Sequence, residues 1–311
     1  MIDFLHLEHK YKKQIDKHII LLQKLQNLLE PIQFLEIFLA IIGVKISRIL
    51  LSEIELLNIF PLLKESNVLL GFTQNPFHAK LDKAKGKWSS YFKTDEPTEN
   101  SKGLYLAYIA NDDKILKNAI ENEGLGNHVE YAKFLQIPEC CSRKFSDNIF
   151  MLKTKNIDPI NIMIENVNNE KTLDYWCNIM GQYFGYTLLS FTPCSFNCLK
   201  ASNYSKFNYN LLKYYNPTLA NLFLDYHTSL YIYTETFGVY RLKSTKKSEF
   251  EFEYDNTTID TTLKNSIILN YLLKGNRILV NNYLEFTIYY NEDIINKISN
   301  KNIILIYFVE N

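Results

Sequence analysis

The chain has no excess of charge of either sign, because Lys+Arg and Asp+Glu number 34 each. Proteins that attract nucleic acid or anionic membranes through their overall field carry a surplus of basic residues. Long apolar runs are also missing. The most apolar stretch, residues 34–44, contains Glu36 and is shorter than the ~20 residues that cross a bilayer. The composition therefore predicts no nucleic-acid partner and no membrane partner.

The sequence also lacks the motifs of several familiar enzyme classes. It contains no Walker phosphate-binding loop, no G-x-G-x-x-G, no H-E-x-x-H and no G-x-S-x-G. The residues after Met1 mix acidic and basic side chains where a secretory signal needs an apolar core. We therefore expect a cytoplasmic protein, in a compartment where thiols stay reduced.

Cysteine is scarce but clustered. Of the five cysteines in 311 residues, Cys140 and Cys141 lie in the segment 135–145, and Cys194 and Cys198 lie in the segment 191–198. Random placement of five cysteines predicts about 0.06 adjacent pairs and about 0.06 pairs at a spacing of four. One pair of each kind is therefore not accidental. The fifth, Cys177, lies among aromatic and aliphatic residues, and we expect it to be a buried apolar side chain.

The first segment predicts the start of a helix. Pro138 suits the first helical position, since its ring fixes φ and the N–H that it lacks has no partner there. Cys140 and Cys141 then fall within the first turn. Because a helix N-terminus stabilises negative charge, this position lowers the pKa of a thiol and favours the thiolate that binds metals.

The second segment predicts a similar arrangement. The apolar residues 186–191 indicate a strand, Thr192 is a typical N-cap, and Pro193 is a typical first helical residue. Cys194 and Cys198 are four residues apart and would share one face of that helix. We therefore predict that two helix N-termini bring four thiolates to one cation or one iron–sulfur cluster.

Several kinds of site remain open at this point. An iron–sulfur cluster or a reactive-thiol centre is the preferred interpretation, and a structural zinc site is the main alternative. Zinc sites usually take their ligands from C-x₂₋₄-C pairs, and adjacent cysteines are unusual in them. Four buried cysteines without a metal, or a set of disulfides, are further alternatives.

The two cysteine segments resemble those of an uncharacterised prokaryotic protein family. In that family a Leu-Gly-Tyr-Pro-x-Cys-Cys stretch is followed by a Pro-Cys-x-x-x-Cys stretch. Residues 135–141 and 193–198 correspond to them, with Gln136 and Ile137 departing from the first pattern. The resemblance implies that the two segments act together, and it implies no particular reaction.

Two functions fit these observations. The first is an enzyme with a cysteine-bound iron–sulfur cluster or metal that performs redox or sulfur-transfer chemistry on a small biosynthetic substrate. His128 or Glu139 would move protons, Arg143 would hold an anionic substrate or offset the negative charge of the centre, and Lys144 would contact the cofactor. The second is a non-catalytic module that has a structural zinc site and binds a protein partner.

The remaining patterns predict an α+β fold in three parts. Residues 1–66 form a helical N-terminal layer, residues 67–228 a central α/β region with the cysteine segments, and residues 229–311 a C-terminal mixed, mainly antiparallel β region. Within these parts we expect a helix over 33–51, a break at Pro61 and helices across 158–183.

Overall fold

A computed structural model describes residues 4–72, 79–80, 84–85, 93–94, 104–155, 157–165, 167, 172–300 and 302–308. The fold is α+β with antiparallel sheets, as the sequence predicts. In chain order the elements up to the second cysteine segment are α1 (Phe4–Lys17), α2 (Ile19–Gln26), α3 (Pro31–Ile41), β1 (Ser47–Ser52), α4 (Glu53–Glu65), β2 (Leu69–Phe72), β3 (Ala79–Lys80), β4 (Lys93–Thr94), β5 (Leu104–Ala110), α5 (Asp113–Gly124), α6 (His128–Phe134), α7 (Glu139–Lys155) and α8 (Asn161–Ile164).

The second half of the chain begins with two long helices and continues mainly as strands. Its elements are α9 (Leu199–Tyr215), α10 (Pro217–Thr228), β6 (Leu230–Thr234), β7 (Val239–Leu242), β8 (Ser244–Ser248), β9 (Glu251–Tyr254), β10 (Asp260–Thr261), α11 (Ile267–Lys274), β11 (Arg277–Asn282), β12 (Glu285–Tyr290), β13 (Asp293–Ser299) and β14 (Ile303–Ile306). No helix among the described residues is both long enough and apolar enough to cross a membrane.

The strands form small antiparallel sheets. Strands β1, β5 and β2 lie side by side in that order, and β3 pairs with β4. In the C-terminal part, one sheet has the order β10-β7-β6-β14 and another the order β13-β12-β11-β9-β8. Strands β6 and β7 are buried along their whole length, whereas β9 alternates between buried Phe252 and Tyr254 and outward glutamates, as its sequence pattern predicts.

Two large apolar cores organise these elements. The N-terminal helices α1–α4 pack with β1, β5, α9 and α10 around one core. The C-terminal sheets pack around the other, which also contains Cys141, Cys177 and Cys198. The cysteine segments therefore lie against the C-terminal sheets, and α9 continues from them into the N-terminal core.

The prediction of one helix over 33–51 is wrong. Helix α3 ends at Ile41, and Gly43 follows with a φ of +79°, a conformation that glycine adopts without strain. The N–H of Val44 then bonds to the carbonyl of Leu39, which closes the helix in a Schellman turn. Residues after this turn pair with β5 as strand β1, so long-range pairing overrides their helical pattern.

Two other local predictions are also wrong. Pro61 lies inside α4 rather than at a break, because it sits on the exposed face, where water can take the carbonyl that loses its partner. Between 158 and 183 the described residues form α8, two short 3₁₀ turns and a 3₁₀ residue at 167 in place of long helices. Asp174, through its bond to the N–H of Trp176, starts the first of these turns, at Tyr175–Cys177.

Candidate metal centre

The first cysteine segment is positioned by a tight junction between α6 and α7. Gln136 adopts a φ of +56°, and the N–H of Ile137 bonds to the carbonyl of Ala132, which closes α6. Pro138 comes next, and its carbonyl accepts the N–H of Ser142 in the first turn of α7. The sequence therefore predicted the start of this helix correctly, and Cys140 lies in its first turn.

The second cysteine segment differs from its prediction. Residues 186–191 form no strand and residues 192–198 form no helix, so Cys194 and Cys198 do not share a helix face. Cys198 is instead the N-cap of α9, and its carbonyl accepts the N–H of Ser202. Asn197 bonds through its side chain to the carbonyl of Thr172, and this tie holds residues 195–198 in a turn ahead of the helix.

The four sulfurs nevertheless meet. The Sγ atoms of Cys140, Cys141, Cys194 and Cys198 all lie within 4.8 Å of one another, and we call this group the four-cysteine cluster. The Cys140 sulfur is 3.9 Å from that of Cys141 and 3.7 Å from that of Cys198. The sulfurs of Cys141 and Cys198 are 3.6 Å apart. All five cysteines are free thiols. The predicted meeting of the two segments is confirmed, and the cluster can hold a metal ion.

Burial divides the cluster into an inner and an outer pair. Cys141 is 1% exposed and Cys198 is 8% exposed, whereas Cys140 and Cys194 are only partly buried. Both outer cysteines pack against the C-terminal core. Phe196, two residues before Cys198, lies in the same core and contacts Phe308 at a ring-centroid distance of 6.2 Å. The centre therefore sits at the rim of a hydrophobic core with one side open to solvent.

The thiols influence one another strongly. Hydrogen bonds from the thiols of Cys141 and Cys194 lower the pKa of Cys198, and the N–H of Ala201 contributes in the same direction. The pKa of Cys141 is raised, because its bonds to Cys194 and Cys198 and its burial favour the protonated form. The geometry thus concentrates negative charge at Cys198, next to the N-terminus of α9, and a cation placed among the sulfurs would neutralise it.

Cys177 lies beside the cluster without belonging to it. It is completely buried in the same core, and its thiol donates to the carbonyl of Cys198 at 3.3 Å. Burial raises its pKa, so it stays a neutral thiol. The expectation that Cys177 is a buried apolar side chain is confirmed.

The other predicted site residues lie on or near the same two helices. Glu139 and Arg143 are exposed and form an ion pair on α7, with a nitrogen–oxygen distance of 2.5 Å, and this pair lowers the pKa of Glu139. Lys144 is half-buried and lies one turn after Cys140, on the same helix face. His128 is exposed at the first residue of α6. Their roles in chemistry remain predictions.

A buried ion pair contacts the chain directly before the second cysteine segment. No pattern in the sequence indicates this ion pair. The Nζ atom of Lys45 is 2.6 Å from the Glu36 carboxylate, and neither side chain is more than 9% exposed. The same Nζ donates to the hydroxyl of Ser190 at 2.7 Å, four residues before Cys194. Lys and Glu are common on surfaces, so only the tertiary structure identifies this pair as internal.

Comparison with known proteins identifies no relative of this chain. No family model matches the chain, and neither the curated proteins nor the solved structures include one that is significantly similar to it. What is established about the site is therefore its geometry: four clustered cysteines that can bind a metal.

Proposed function

We propose that this protein binds a single metal ion through the four thiolates of the four-cysteine cluster, and that the ion is zinc. The spacing of the sulfurs carries the proposal. A tetrahedral ion with metal–sulfur bonds of about 2.3 Å separates its ligands by roughly 3.8 Å. The sulfurs of Cys140, Cys141 and Cys198 lie 3.6, 3.7 and 3.9 Å apart, and that of Cys194 lies within 4.8 Å of each, so an ion fits among them with little rearrangement.

The same distances favour one ion over an iron–sulfur cluster. In a four-iron cluster each cysteine binds a different iron, which places the cysteine sulfurs on the order of 6 Å apart. All four sulfurs here lie within 4.8 Å of one another. A cluster would therefore require the inner cysteines to move apart inside a packed core, and this requirement supports the zinc alternative over the iron–sulfur interpretation.

A four-thiolate zinc site has no open coordination position, which is typical of structural sites. The ion would connect the start of α7 to the N-cap of α9, two points 57 residues apart in the chain. It would also join both helices to the core of the C-terminal sheets. In this proposal the protein is a cytoplasmic, non-catalytic module that binds a protein partner, and the ion holds its central helices in place.

A second candidate keeps the redox or sulfur-transfer enzyme, and the exposure of the outer pair supports it. Cys140 and Cys194 are partly accessible, so a small substrate could reach a metal-bound sulfur. Lys144, one turn from Cys140, would offset the charge of −2 that four thiolates and a divalent ion carry. Iron bound singly by the same four sulfurs would serve such chemistry.

We further propose that the resemblance to the uncharacterised prokaryotic family reflects a shared turn. Gln136, at φ +56°, stands where that family's first motif has glycine. A left-handed residue at this junction favours glycine, and it directs the chain from α6 into the first turn of α7. The motif would then encode both the turn and the ligands that come after it.

Metal analysis of anaerobically purified protein tests the proposal. We expect one zinc ion per chain, no acid-labile sulfide and no visible colour, and we expect cobalt substitution to give the intense visible bands of a tetrahedral thiolate site. Cys141→Ser should abolish stoichiometric binding, whereas Cys177→Ser, a matched change of a buried neighbour, should leave it intact. A brown protein with iron and sulfide in equal amounts would contradict the zinc assignment.

A further inference from the structure

The two outer sulfurs distinguish the four-cysteine cluster from a fully enclosed site. Cys140 and Cys194 are partly exposed, while Cys141 and Cys198 are buried. A small water-soluble oxidant can therefore meet an outer sulfur directly, and the thiolate is the form that reacts. The product of that oxidation depends on which second sulfur the oxidised residue can reach.

Geometry selects Cys198 as the partner of Cys140. Their sulfurs are 3.7 Å apart, and they come from separate elements, the first turn of α7 and the N-cap of α9. Cys141 is almost as close at 3.9 Å, but it is the next residue in the chain. Consecutive Cα atoms are about 3.8 Å apart, below the ~4.4 Å that ordinary disulfides need. A bond between Cys140 and Cys141 would therefore distort the helix.

We propose that Cys140 is the oxidant-sensitive sulfur of the four-cysteine cluster, and that hydrogen peroxide joins it to Cys198 in a disulfide that releases the metal ion. This inference rests on the proposed function. The new bond connects the same two elements that the ion connected, so α7 and α9 stay attached while the ion leaves. The metal centre is then a site of reversible oxidation rather than a permanently occupied structural metal site.

Hydrogen peroxide accepts the two electrons that disulfide formation releases. The Cys140 thiolate attacks one peroxide oxygen, the O–O bond breaks, and a sulfenic acid and a hydroxide ion form. The Cys198 thiolate then attacks the sulfenic sulfur, forms the S–S bond and displaces a second hydroxide ion. The two sulfurs lose two electrons and peroxide gains them. Cys141 and Cys194 remain as ligands, and two thiolates hold the ion much more weakly than four.

The test uses the full-length, metal-loaded protein. Peroxide is added in the presence of the chromogenic chelator 4-(2-pyridylazo)resorcinol, free thiols are then blocked, and the disulfides are mapped by mass spectrometry of peptides. We expect one ion released for each Cys140–Cys198 disulfide, and recovery of metal binding after reduction with dithiothreitol and addition of zinc. A disulfide that pairs Cys194 with Cys198, metal release without any disulfide, or no release in excess peroxide would each overturn the inference.

Variants give a second measurement. Cys140→Ser should slow peroxide-driven metal release by roughly tenfold or more, since the accessible thiolate is gone. Cys177→Ser, which removes a buried thiol next to the cluster, should release metal at the wild-type rate. If Cys140→Ser cannot hold the ion, the mapping in wild-type protein still decides the question. A chain that takes up no metal refutes the proposed function, whereas a fully loaded chain that forms another product refutes this inference alone.

Discussion

Removing the bound ion should destabilise the protein by an amount that the structure sets. The ion would close a loop of 57 residues between Cys141 and Cys198, and in the chain-entropy model a cross-link of that length contributes about 4 kcal/mol. A domain is usually stable by ~5–15 kcal/mol, so this loss is large. With the unfolding entropy expected for 311 residues, it corresponds to a drop of about 6 °C in the melting temperature.

The assay compares thermal and urea unfolding of the protein before and after dialysis against a strong chelator, with metal content measured in both samples. Cys177→Ala provides the control, because it loses a buried sulfur near the cluster but should keep the full difference between loaded and metal-free protein. A melting temperature unchanged within about 1 °C after complete metal removal would refute the reasoning, because an ion that links two distant segments must restrict the unfolded chain.

Three further predictions concern groups outside the cluster. Burial lowers the pKa of His227 to about 4, so between pH 6.5 and 4 the unfolded chain binds a proton that the folded protein does not. The free energy of unfolding should therefore fall by about 3 kcal/mol over this pH range. Urea unfolding should show a smaller fall in the His227→Gln variant. Lys45→Met leaves Glu36 charged and unpaired in the interior and should lower the free energy of unfolding, measured with urea, by ~3–5 kcal/mol. A double variant that also carries Glu36→Leu should regain most of that stability. A double variant as unstable as Lys45→Met would contradict this prediction. Gln136→Gly removes the strain of φ +56° and should raise the free energy of unfolding by up to about 1 kcal/mol. A lower urea midpoint in this variant would count against a left-handed turn at residue 136.

Local sequence was sufficient for the features that depend on neighbouring residues. Pro138 correctly marked the start of α7, where its carbonyl accepts the N–H of Ser142. Caps and proline positions act through hydrogen bonds and dihedral angles within a few residues, so their effect can be read from short stretches. The unusual spacing of the cysteines likewise identified which four of them belong together.

The sequence could not determine how Cys194 and Cys198 are held. A Thr-Pro pair before a cysteine is typical of a helix start, but Asn197 is bonded to Thr172 instead, and α9 begins only at Leu199. That bond spans 25 residues, and no local pattern reports it. The strand β1 was missed for the same reason, since its pairing with β5 is a contact between distant parts of the chain.

The sequence by itself therefore determined which sulfurs form the site and where the first helix begins, because both depend on residue identity and short-range geometry. Tertiary structure alone decided that the four sulfurs lie within 4.8 Å of one another, a spacing that suits one ion, and that two of them are partly exposed. It also decided that Lys45 and Glu36 form an internal pair. Distances, burial and buried charge depend on packing between segments far apart in the chain, and packing is settled only when the whole core forms.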